Sequence, residues 1–498
     1  MLTRREFLER SARASALALL APYGCNRGTW AGKGTVVNDV HSQLNPTRVS
    51  RIERPASLGE MADALSRAAR IGRPVSIAGG RHSMGGQQFG ADSVLIDMNR
   101  FNRVRAFDND EGLVEAEAGI QWPQLIDWLL ARQTESEAPW GIRQKQTGAD
   151  RLSLGGALAS NIHSRGLRMK PIIDDVESFT TMGPGGEIRN CSRSENAELF
   201  KLAIGGYGLF GIIVTVTLRL SPRRQVKRVV ELIELESLMP ALDKRKEEGF
   251  EFGDFQFSTD DGSDDFLEKG VFSCYLPLDT PVDIPEKQKS LSEADWRELL
   301  YLAHADKKAA FDAYAKYYTG TSGQIYWSDT HQLSTYIDDY HLELDRRLGA
   351  RTPGTEMITE IYVPRDALVP FLRRVRKDFR KNDVSLIYGT IRLIERDDES
   401  FLAWAKQPYA CTIFNLHVDH GAKGIEKAKA DFRRLIDRAI GFDGSYFLTY
   451  HRWATRQQVT ATYPQFGGFL KLKRAHDPQE RFQSDWYRHY QRMFAARV

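Results

Sequence analysis

The sequence has few cysteines, and they form no framework. Its 498 residues include four cysteines, and none of them is spaced as CxxC or as a metal-ligating set. So few cysteines without such spacing argue against a disulfide scaffold and against a zinc module. We therefore expect neither, and the chain is long enough to bury a large apolar core instead.

A charge bias and long apolar runs are also missing. The 69 basic and 66 acidic residues leave a net charge of +3, which gives no reason to expect a nucleic-acid partner. Beyond residue 30, no apolar run reaches the roughly 18 residues that a membrane span needs. No internal repeat is visible. The hydrophobic content of 42% is typical of a globular protein.

The first 30 residues have the features of an export signal. Residues 3–8 (TRREFL) resemble the twin-arginine motif, and an Ala/Leu-rich apolar stretch follows at residues 14–21. That stretch is too short to span a membrane, so we predict a twin-arginine signal peptide over residues 1–30 and a periplasmic or cell-surface location. A short amphipathic helix is the alternative. Cys25 is a candidate for lipidation, although the residues before it fit a lipobox poorly.

Helical and strand patterns alternate along residues 47–222. Leu58, Met61 and Leu65 have helical spacing after Ser57, a favourable N-cap, which predicts a helix through residue 70. Alternating or β-branched runs predict strands at residues 75–78, 94–98, 113–118 and 212–220. Further on, charge-rich helices are predicted at residues 238–248, 293–318 and 364–382. This mixture indicates an α+β fold.

Two glycine-rich segments are the main candidates for cofactor contact. Residues 76–87 (SIAGGRHSMGGQ) follow a strand, and their glycines allow phosphate oxygens to approach backbone N–H groups. Residues 153–166 (SLGGALASNIHSRG) are rich in small and hydroxyl side chains, which suits packing against a flat cofactor. A small-residue helix face is the alternative for this second segment.

A third segment matches a dinucleotide motif only formally. Residues 206–211 (GYGLFG) fit G-x-G-x-x-G, but a helix is predicted before them and a strand after them. A Rossmann site needs the opposite order. We therefore predict no NAD site of that kind.

Taken in order, several segments resemble the vanillyl-alcohol-oxidase (PCMH) type of FAD-linked oxidases. They are residues 54–57 (RPAS), 79–83 (GGRHS), 153–166, 174–178 (DDVES), 196–200 (NAELF) and 205–212 (GGYGLFGI). The resemblance implies a two-domain α+β fold of the FAD-binding PCMH type with a separate α+β substrate (cap) domain. The implied parts are an FAD-binding domain at residues 40–222, a cap domain at 223–465, and a segment at 466–498 that returns to the FAD domain.

The C-terminal third is similar to the sugar-alcohol oxidases, which include aldonolactone and alditol oxidases and decaprenylphosphoryl-ribose oxidase. The similar segments are residues 388–393 (YGTIRL), 414–419 (FNLHVD), 477–478 (DP) and 482–485 (FQSD). This implies an FAD-dependent oxidase or dehydrogenase that oxidises a CH–OH group of a sugar, polyol or aldonolactone by hydride transfer to flavin. One departure is Thr390, because lactone and alditol oxidases carry Glu two residues before their active-site Arg.

The resemblance also implies which residues contact the cofactor. A His often bonds the flavin methyl group at the position of His82, so we expect covalent FAD there, with His163 and Arg165 near the flavin ring. The ribose oxidase has no His at that position. The expected cofactor-binding residues are Ala78, Gly79, Gly80, Arg81, His82, Ser83, Gly119, Ser153, Gly155, Gly156, Ser160, Asn161, His163, Arg165, Gly206 and Ile212.

Alcohol oxidation also needs a proton acceptor and a cation beside the oxygen. We assign the base to His417 or His451, because histidine titrates near neutral pH. Arg392 would orient the oxygen, and Tyr450 and Asn415 would hold the substrate. A structural role is the alternative for each His, and a surface ion pair for Arg392. No metal site is predicted.

Two other functions stay open on the sequence. One is amine oxidation, because cytokinin dehydrogenases share a stretch similar to residues 82–87. The other is an exported flavin-binding protein without catalysis. The expected electron acceptor is oxygen, a quinone or a cytochrome. The basic run at residues 373–377 (RRVRK) is typical of a solvated helix face, and binding to a polyprenyl phosphate or peripheral association with an anionic membrane is its alternative.

Overall fold

The computed structural model describes residues 34–334 and 337–495. From Thr35 onward the described chain forms one compact unit. The predicted signal peptide, with its twin-arginine motif and Cys25, lies outside the described residues. Among the helices that are described, none combines the length and the apolar character that crossing a membrane requires.

The first part of the chain contains a parallel and an antiparallel sheet. Its strands are β1 Thr35–Val37, β2 Thr47–Val49, β3 Arg51–Glu53, β4 Val75–Ala78, β5 Val94–Asp97, β6 Val104–Asp108, β7 Leu113–Glu117, β8 Trp140–Gly141, β9 Val176–Met182, β10 Ile188–Ser192, β11 Ile212–Arg219 and β12 Ser221–Pro222. Its helices are α1 Leu58–Arg70, α2 Trp122–Arg132, α3 Leu154–Ser160 and α4 Ala197–Ala203. The parallel sheet has the order β3-β5-β4, and the antiparallel sheet has the order β10-β9-β11-β7-β6.

The second part is built on one large antiparallel sheet. Its strands are β13 Gln225–Glu234, β14 Phe252–Phe257, β15 Lys269–Pro277, β16 Ile325–Trp327, β17 Gly354–Pro364, β18 Leu386–Ile394, β19 Tyr409–Asp419 and β20 Ser445–Tyr446. They pair in the order β16-β13-β15-β14-β18-β19-β17-β20. Its helices are α5 Leu238–Glu247, α6 Glu293–Ala305, α7 Lys307–Thr319, α8 Tyr340–Leu348, α9 Leu368–Lys381, α10 Ala422–Ile440, α11 Arg456–Thr462, α12 Phe466–His476 and α13 Asp485–Phe494. The predicted α+β class is confirmed.

Local sequence explains where α1 begins and where α6 gives way to α7. The Ser57 hydroxyl accepts a hydrogen bond from the Glu60 N–H and caps α1, as the spacing predicts. The single helix predicted at residues 293–318 is wrong, because Asp306 has non-helical backbone angles and separates α6 from α7. The Asp306 carboxylate accepts from the Ala309 N–H and so caps the second helix. The helix predicted from residue 364 begins at Leu368, after a short 3-10 turn.

The C-terminal segment borders the parallel sheet. The Val75 N–H donates to the Arg481 carbonyl at 2.6 Å, and the Gln483 N–H donates to the Val75 carbonyl at 2.8 Å. A continuous buried apolar cluster extends from Met61 in α1 to Tyr490 in α13. The two parts of the chain therefore share a core, and the cavity described next is bordered by both.

Candidate active site

A cavity of about 1270 Å³, including its open mouth, brings the two glycine-rich segments together with the large sheet. Its lining comes from residues 77–88 and 146–163 of the first part and from β17, β18 and residues 447–450 of the second. Ligand sites in proteins are typically concave and combine an apolar lining with a few convergent polar groups. This cavity has that character, because glycine-rich backbone and a few polar side chains line it together with apolar residues.

The first glycine-rich segment is packed too closely for side chains at its two glycines. A Cβ on Gly79 would lie 1.9 Å from the Ser153 hydroxyl, and one on Gly80 would lie 2.1 Å from the Arg151 carbonyl oxygen. The next residue, Arg81, has a φ of 61°, a left-handed conformation that is costly for a residue with a Cβ. The loop therefore presents its backbone to the cavity in a conformation that packing enforces.

The second glycine-rich segment forms the helix α3. Ser153 caps it by accepting a hydrogen bond from the Gly156 N–H at 3.3 Å, and Asn161 ends it with a φ of 52°. Gly155 and Gly156, which lack a Cβ, expose the backbone of this helix to the cavity. The segment is thus a small-residue helix, as the alternative had it, and the same helix also lines the cavity expected to hold the cofactor.

Most of the expected cofactor residues line this cavity. Those that do are Gly79, Gly80, Arg81, His82, Ser83, Ser153, Gly155, Gly156, Ser160 and His163. Those that do not are Ala78, Gly119, Asn161, Arg165, Gly206 and Ile212. Asn161 donates instead to Asp397 at 2.8 Å, and Arg165 lies 3.5 Å from Asp254. Tyr207, which sequence reasoning missed, lines the cavity.

Two of the five expected catalytic residues, Arg392 and Tyr450, line the cavity, whereas Asn415, His417 and His451 do not. His451 is 1% exposed, and burial lowers its pKa to about 3. His417 lies beside Glu356 at 3.4 Å. The assignment of the base to either His stays a prediction, and neither ring reaches the cavity lining.

A buried carboxylate that the sequence analysis did not single out lines the cavity. Glu360, on β17, is 4% exposed. It accepts hydrogen bonds from the hydroxyls of Tyr450 at 2.6 Å and Tyr362 at 2.7 Å, and it lies 2.8 Å from Nε2 of His163. The signal that could have revealed it is an acidic residue within the apolar run at residues 358–363, since carboxylates are rarely buried without a partner.

The charges around Glu360 keep it ionised. Nδ1 of His163 contacts the Ser164 carbonyl at 2.9 Å, so this nitrogen is the donor and Nε2 faces the carboxylate. Burial raises the pKa of Glu360, but the charge and hydrogen bonds of His163 and the two tyrosines outweigh it and lower that pKa. Burial and the neighbouring carboxylate raise the pKa of Tyr450 well above its usual value, so this hydroxyl stays protonated.

The register of the large sheet places Glu360 near Arg392. Glu360 pairs with Ile413, which pairs with Thr390, while Arg392 pairs with Cys411 in the next row on the same face. The Nε of Arg392 is buried and, among the described residues, has no hydrogen-bond partner. An unpaired guanidinium N–H in a cavity wall fits an acceptor oxygen on a bound substrate or cofactor.

His82 lies in the cavity beside a second histidine. Its Nδ1 is 2.8 Å from Nε2 of His41, and the two ring centroids are 4.8 Å apart. Burial lowers the pKa of His82 to about 3 and that of His41 to about 4, so both rings are neutral at neutral pH. No pattern in the sequence indicated His41.

Comparison with known proteins agrees with this geometry. Residues 49–192 match a family model described as "FAD binding domain". An "uncharacterized oxidoreductase ORF5 in fasciation locus" of Rhodococcoides fascians is 32% identical over 36% of this chain and 39% of its own length. The L-gulonolactone oxidase of Mus musculus is 29% identical over 40% of this chain and 44% of its own length. The chain thus spans less than half of these two relatives.

One relative matches over most of its length. The L-gulono-1,4-lactone dehydrogenase of Mycobacterium tuberculosis is 25% identical over 88% of this chain and 95% of its own length. The matched domain contains α3 and the loop that follows β4, whose glycines line the cavity. The cofactor is therefore FAD, bound by an FAD-binding domain of the vanillyl-alcohol-oxidase (PCMH) type, and the chain is similar to the aldonolactone oxidases and dehydrogenases.

Proposed function

We propose that this protein is an FAD-dependent oxidoreductase that oxidises a CH–OH group of a sugar, polyol or aldonolactone-type substrate. The observation that carries the proposal is the presence of Glu360, Arg392 and Tyr450 on one wall of the cavity whose other walls are the glycine-rich segments. The names of the lactone-oxidising relatives support the same chemistry and favour CH–OH over amine oxidation.

Two side chains supply the charge stabilisation and the proton acceptor that alcohol oxidation needs besides a hydride acceptor. FAD held by the two glycine-rich segments would supply the hydride acceptor. The Arg392 guanidinium donates a hydrogen bond to the substrate oxygen and stabilises the negative charge that develops there. The Glu360 carboxylate, ionised at neutral pH, accepts the hydroxyl proton.

The hydroxyl and imidazole groups around Glu360 position it for this role. Tyr450, Tyr362 and His163 each contact one of its oxygens within 2.8 Å, which fixes the carboxylate without neutralising it. Because Glu360 lies in the same cross-strand row as Thr390, it can replace the acid that lactone and alditol oxidases carry at that position.

The direct test is reduction of the bound flavin by substrate without oxygen. A panel of aldonolactones, polyols and sugars should include compounds that bleach the flavin absorbance, and Arg392→Ala should slow this bleaching by about 10²–10³-fold. Bound flavin that none of these compounds reduces would contradict the proposal and favour a flavin-binding protein without catalysis. Reduction by amines alone would favour amine oxidation.

We also propose that FAD is bonded covalently to His82. A neutral ring with a low pKa, positioned in the cavity beside His41, supports this. In the test, acid-precipitated protein retains the yellow colour and His82→Ala releases it. Colour in the supernatant of the wild-type protein would refute the covalent bond while leaving FAD binding intact.

Export and the electron acceptor are further parts of the proposal. The twin-arginine motif at residues 3–8 supports a periplasmic or cell-surface location, which fusion of residues 1–33 to a reporter would test. Oxygen, quinones and cytochromes are the acceptors to compare by stopped-flow reoxidation. Peripheral membrane association has little support, because Arg373 pairs with Glu236 and Arg376 lies 3.7 Å from Glu268.

A further inference from the structure

Away from the cavity lining, His304, Glu356 and His417 bring three potential metal ligands together. Nε2 of His304 lies 2.9 Å from Oε1 of Glu356, and Nδ1 of His417 lies 3.4 Å from the same oxygen. One ligand atom from each residue lies within 4.8 Å of the other two. We propose that these side chains form a binding site for a divalent transition-metal ion, with zinc as the first ion to test.

Three elements of the second part supply this site. Glu356 on β17 and His417 on β19 are directly opposite each other in the sheet, and His304 comes from the last turn of α6. Tyr340, the first residue of α8, donates a hydrogen bond to the other Glu356 oxygen. A bound ion would therefore fasten α6 to the sheet, and Tyr340 would orient the ligating carboxylate from α8.

The spacing of the ligand atoms fits a zinc ion. Zinc binds His nitrogens and carboxylate oxygens at about 2.0–2.2 Å in a tetrahedron, which puts neighbouring ligand atoms roughly 3.3–3.5 Å apart. Two of the three separations, 2.9 and 3.4 Å, are within about half an ångström of this value, and the third, between the two His nitrogens, is no more than 4.8 Å. Two His and one carboxylate are ligands that transition metals accept, whereas Ca²⁺ and Mg²⁺ prefer oxygen alone.

The hydrogen bonds of His304 leave one ring nitrogen for an ion. Nδ1 of His304 lies 2.8 Å from the Leu300 carbonyl, which only accepts, so Nδ1 carries a proton. In a neutral ring, Nε2 then presents a lone pair to the Glu356 carboxylate, and a metal ion between the two atoms satisfies both. Without an ion, His304 has to be protonated to donate its Nε2–H to this carboxylate.

Burial supports the same site. The side chains of His304 and Glu356 are 5% and 4% exposed, while that of His417 is 26% exposed, which leaves room for a water ligand.

The site is separate from the proposed chemistry. Glu356 and Glu360 lie on the same face of β17, four residues and roughly 14 Å apart along the strand. A metal there would stabilise the helices that cover the sheet without touching the substrate. Its test therefore reads bound metal, melting temperature and flavin content rather than activity, which keeps it apart from the prediction that His417 is the base.

The experiment measures bound metal in the FAD-loaded protein. The protein is treated with EDTA, dialysed against ZnCl₂ or MgCl₂, desalted and analysed by mass spectrometry for metal, and its melting temperature is followed against metal concentration. We expect one zinc per chain, no magnesium, and a melting temperature that rises with zinc. Glu356→Gln and His417→Gln should each weaken zinc binding by about 100-fold or more, with flavin content unchanged.

A matched control separates this site from incidental binding. His476 lies 3.4 Å from Glu198 at the surface, so His476→Gln removes a similar His–carboxylate pair elsewhere and should leave zinc binding unchanged. If Glu356→Gln fails to fold, the more exposed His417→Gln carries the test. Absence of zinc in the wild-type protein, retention of zinc in the site variants, or its loss in His476→Gln would each overturn the proposal.

Discussion

Replacing Glu360 with Gln removes the proposed proton acceptor while keeping its shape. The amide oxygen of Gln can still accept the hydrogen bond that Tyr450 donates at 2.6 Å. The other side of the amide loses the charge that faces His163 at 2.8 Å. The substitution thus changes the chemistry of one cavity wall and little of its volume.

The size of the effect follows from the role of the carboxylate. Loss of a positioned general base typically slows a reaction by about 10²–10⁴-fold. We expect flavin reduction by substrate to slow by that factor. Glu360→Asp should recover part of the rate, because it keeps a carboxylate that is withdrawn by one methylene. In the wild type the rate should be nearly constant around neutral pH, since the pKa of Glu360 lies below its usual value and the base is already ionised.

The assay is anaerobic stopped-flow reduction of the bound flavin, with the flavin-to-protein ratio as a measure of folding and cofactor binding. Glu395→Gln is the matched control, because Glu395 directly follows β18 and pairs with Arg365 at 2.7 Å outside the cavity lining. A Glu360→Gln protein that binds FAD and reduces it within about threefold of the wild-type rate would refute the assignment, given the 10²–10⁴-fold loss expected for a general base.

Three other substitutions test the packing and charge of the structure. Gly79→Ala should abolish FAD retention, because the new Cβ would lie 1.9 Å from the Ser153 hydroxyl; absorbance of the purified protein measures this. Lowering the pH from about 6.5 to about 5 should reduce the free energy of unfolding by about 2 kcal/mol through His451. The pKa of His451 is about 3 in the folded protein, so over this range only the unfolded state binds the proton. Urea denaturation should show a smaller pH effect in His451→Gln. Asp477→Asn should destabilise the protein by about 3–5 kcal/mol, because it leaves the Lys473 ammonium, 2.7 Å away, buried without its counter-ion.

The glycine and aspartate substitutions each have a control in the same chain. Gly59→Ala, at a helix position with nothing within 4 Å of the new Cβ, should keep FAD. Asp312→Asn breaks an exposed pair of the same 2.7 Å length and should change the unfolding free energy little. Equal FAD content in Gly79→Ala and Gly59→Ala would contradict the close packing of the loops. An unchanged pH effect in His451→Gln, or equal stability of the two Asp variants, would contradict the burial argument.

Local patterns in the sequence located both glycine-rich segments of the cofactor half, although six of the expected cofactor residues lie outside the cavity lining. The Ser57 cap and the apolar spacing after it predicted α1, and the strand before Gly79 predicted a loop that presents its backbone. The reversed order around residues 206–211 correctly excluded a Rossmann motif, since α4 precedes it and β11 follows. These features depend on contacts within a few residues, which a linear pattern records.

The catalytic wall depended on pairing between distant strands. Spacing along β19 placed His417 and Asn415 on one face, but only the register of β17, β19 and β18 shows that this face carries Glu360 and Arg392 further along. Side chains on one face of the sheet reach the cavity only if they lie at the right distance along their strands. Pairing between strands that are distant in sequence sets that distance. The sequence by itself therefore determined the cofactor, the glycine-rich loops and the likeness to aldonolactone oxidoreductases. Only the tertiary structure decided which carboxylate faces the cavity, because burial and partner distances arise when separate segments pack together.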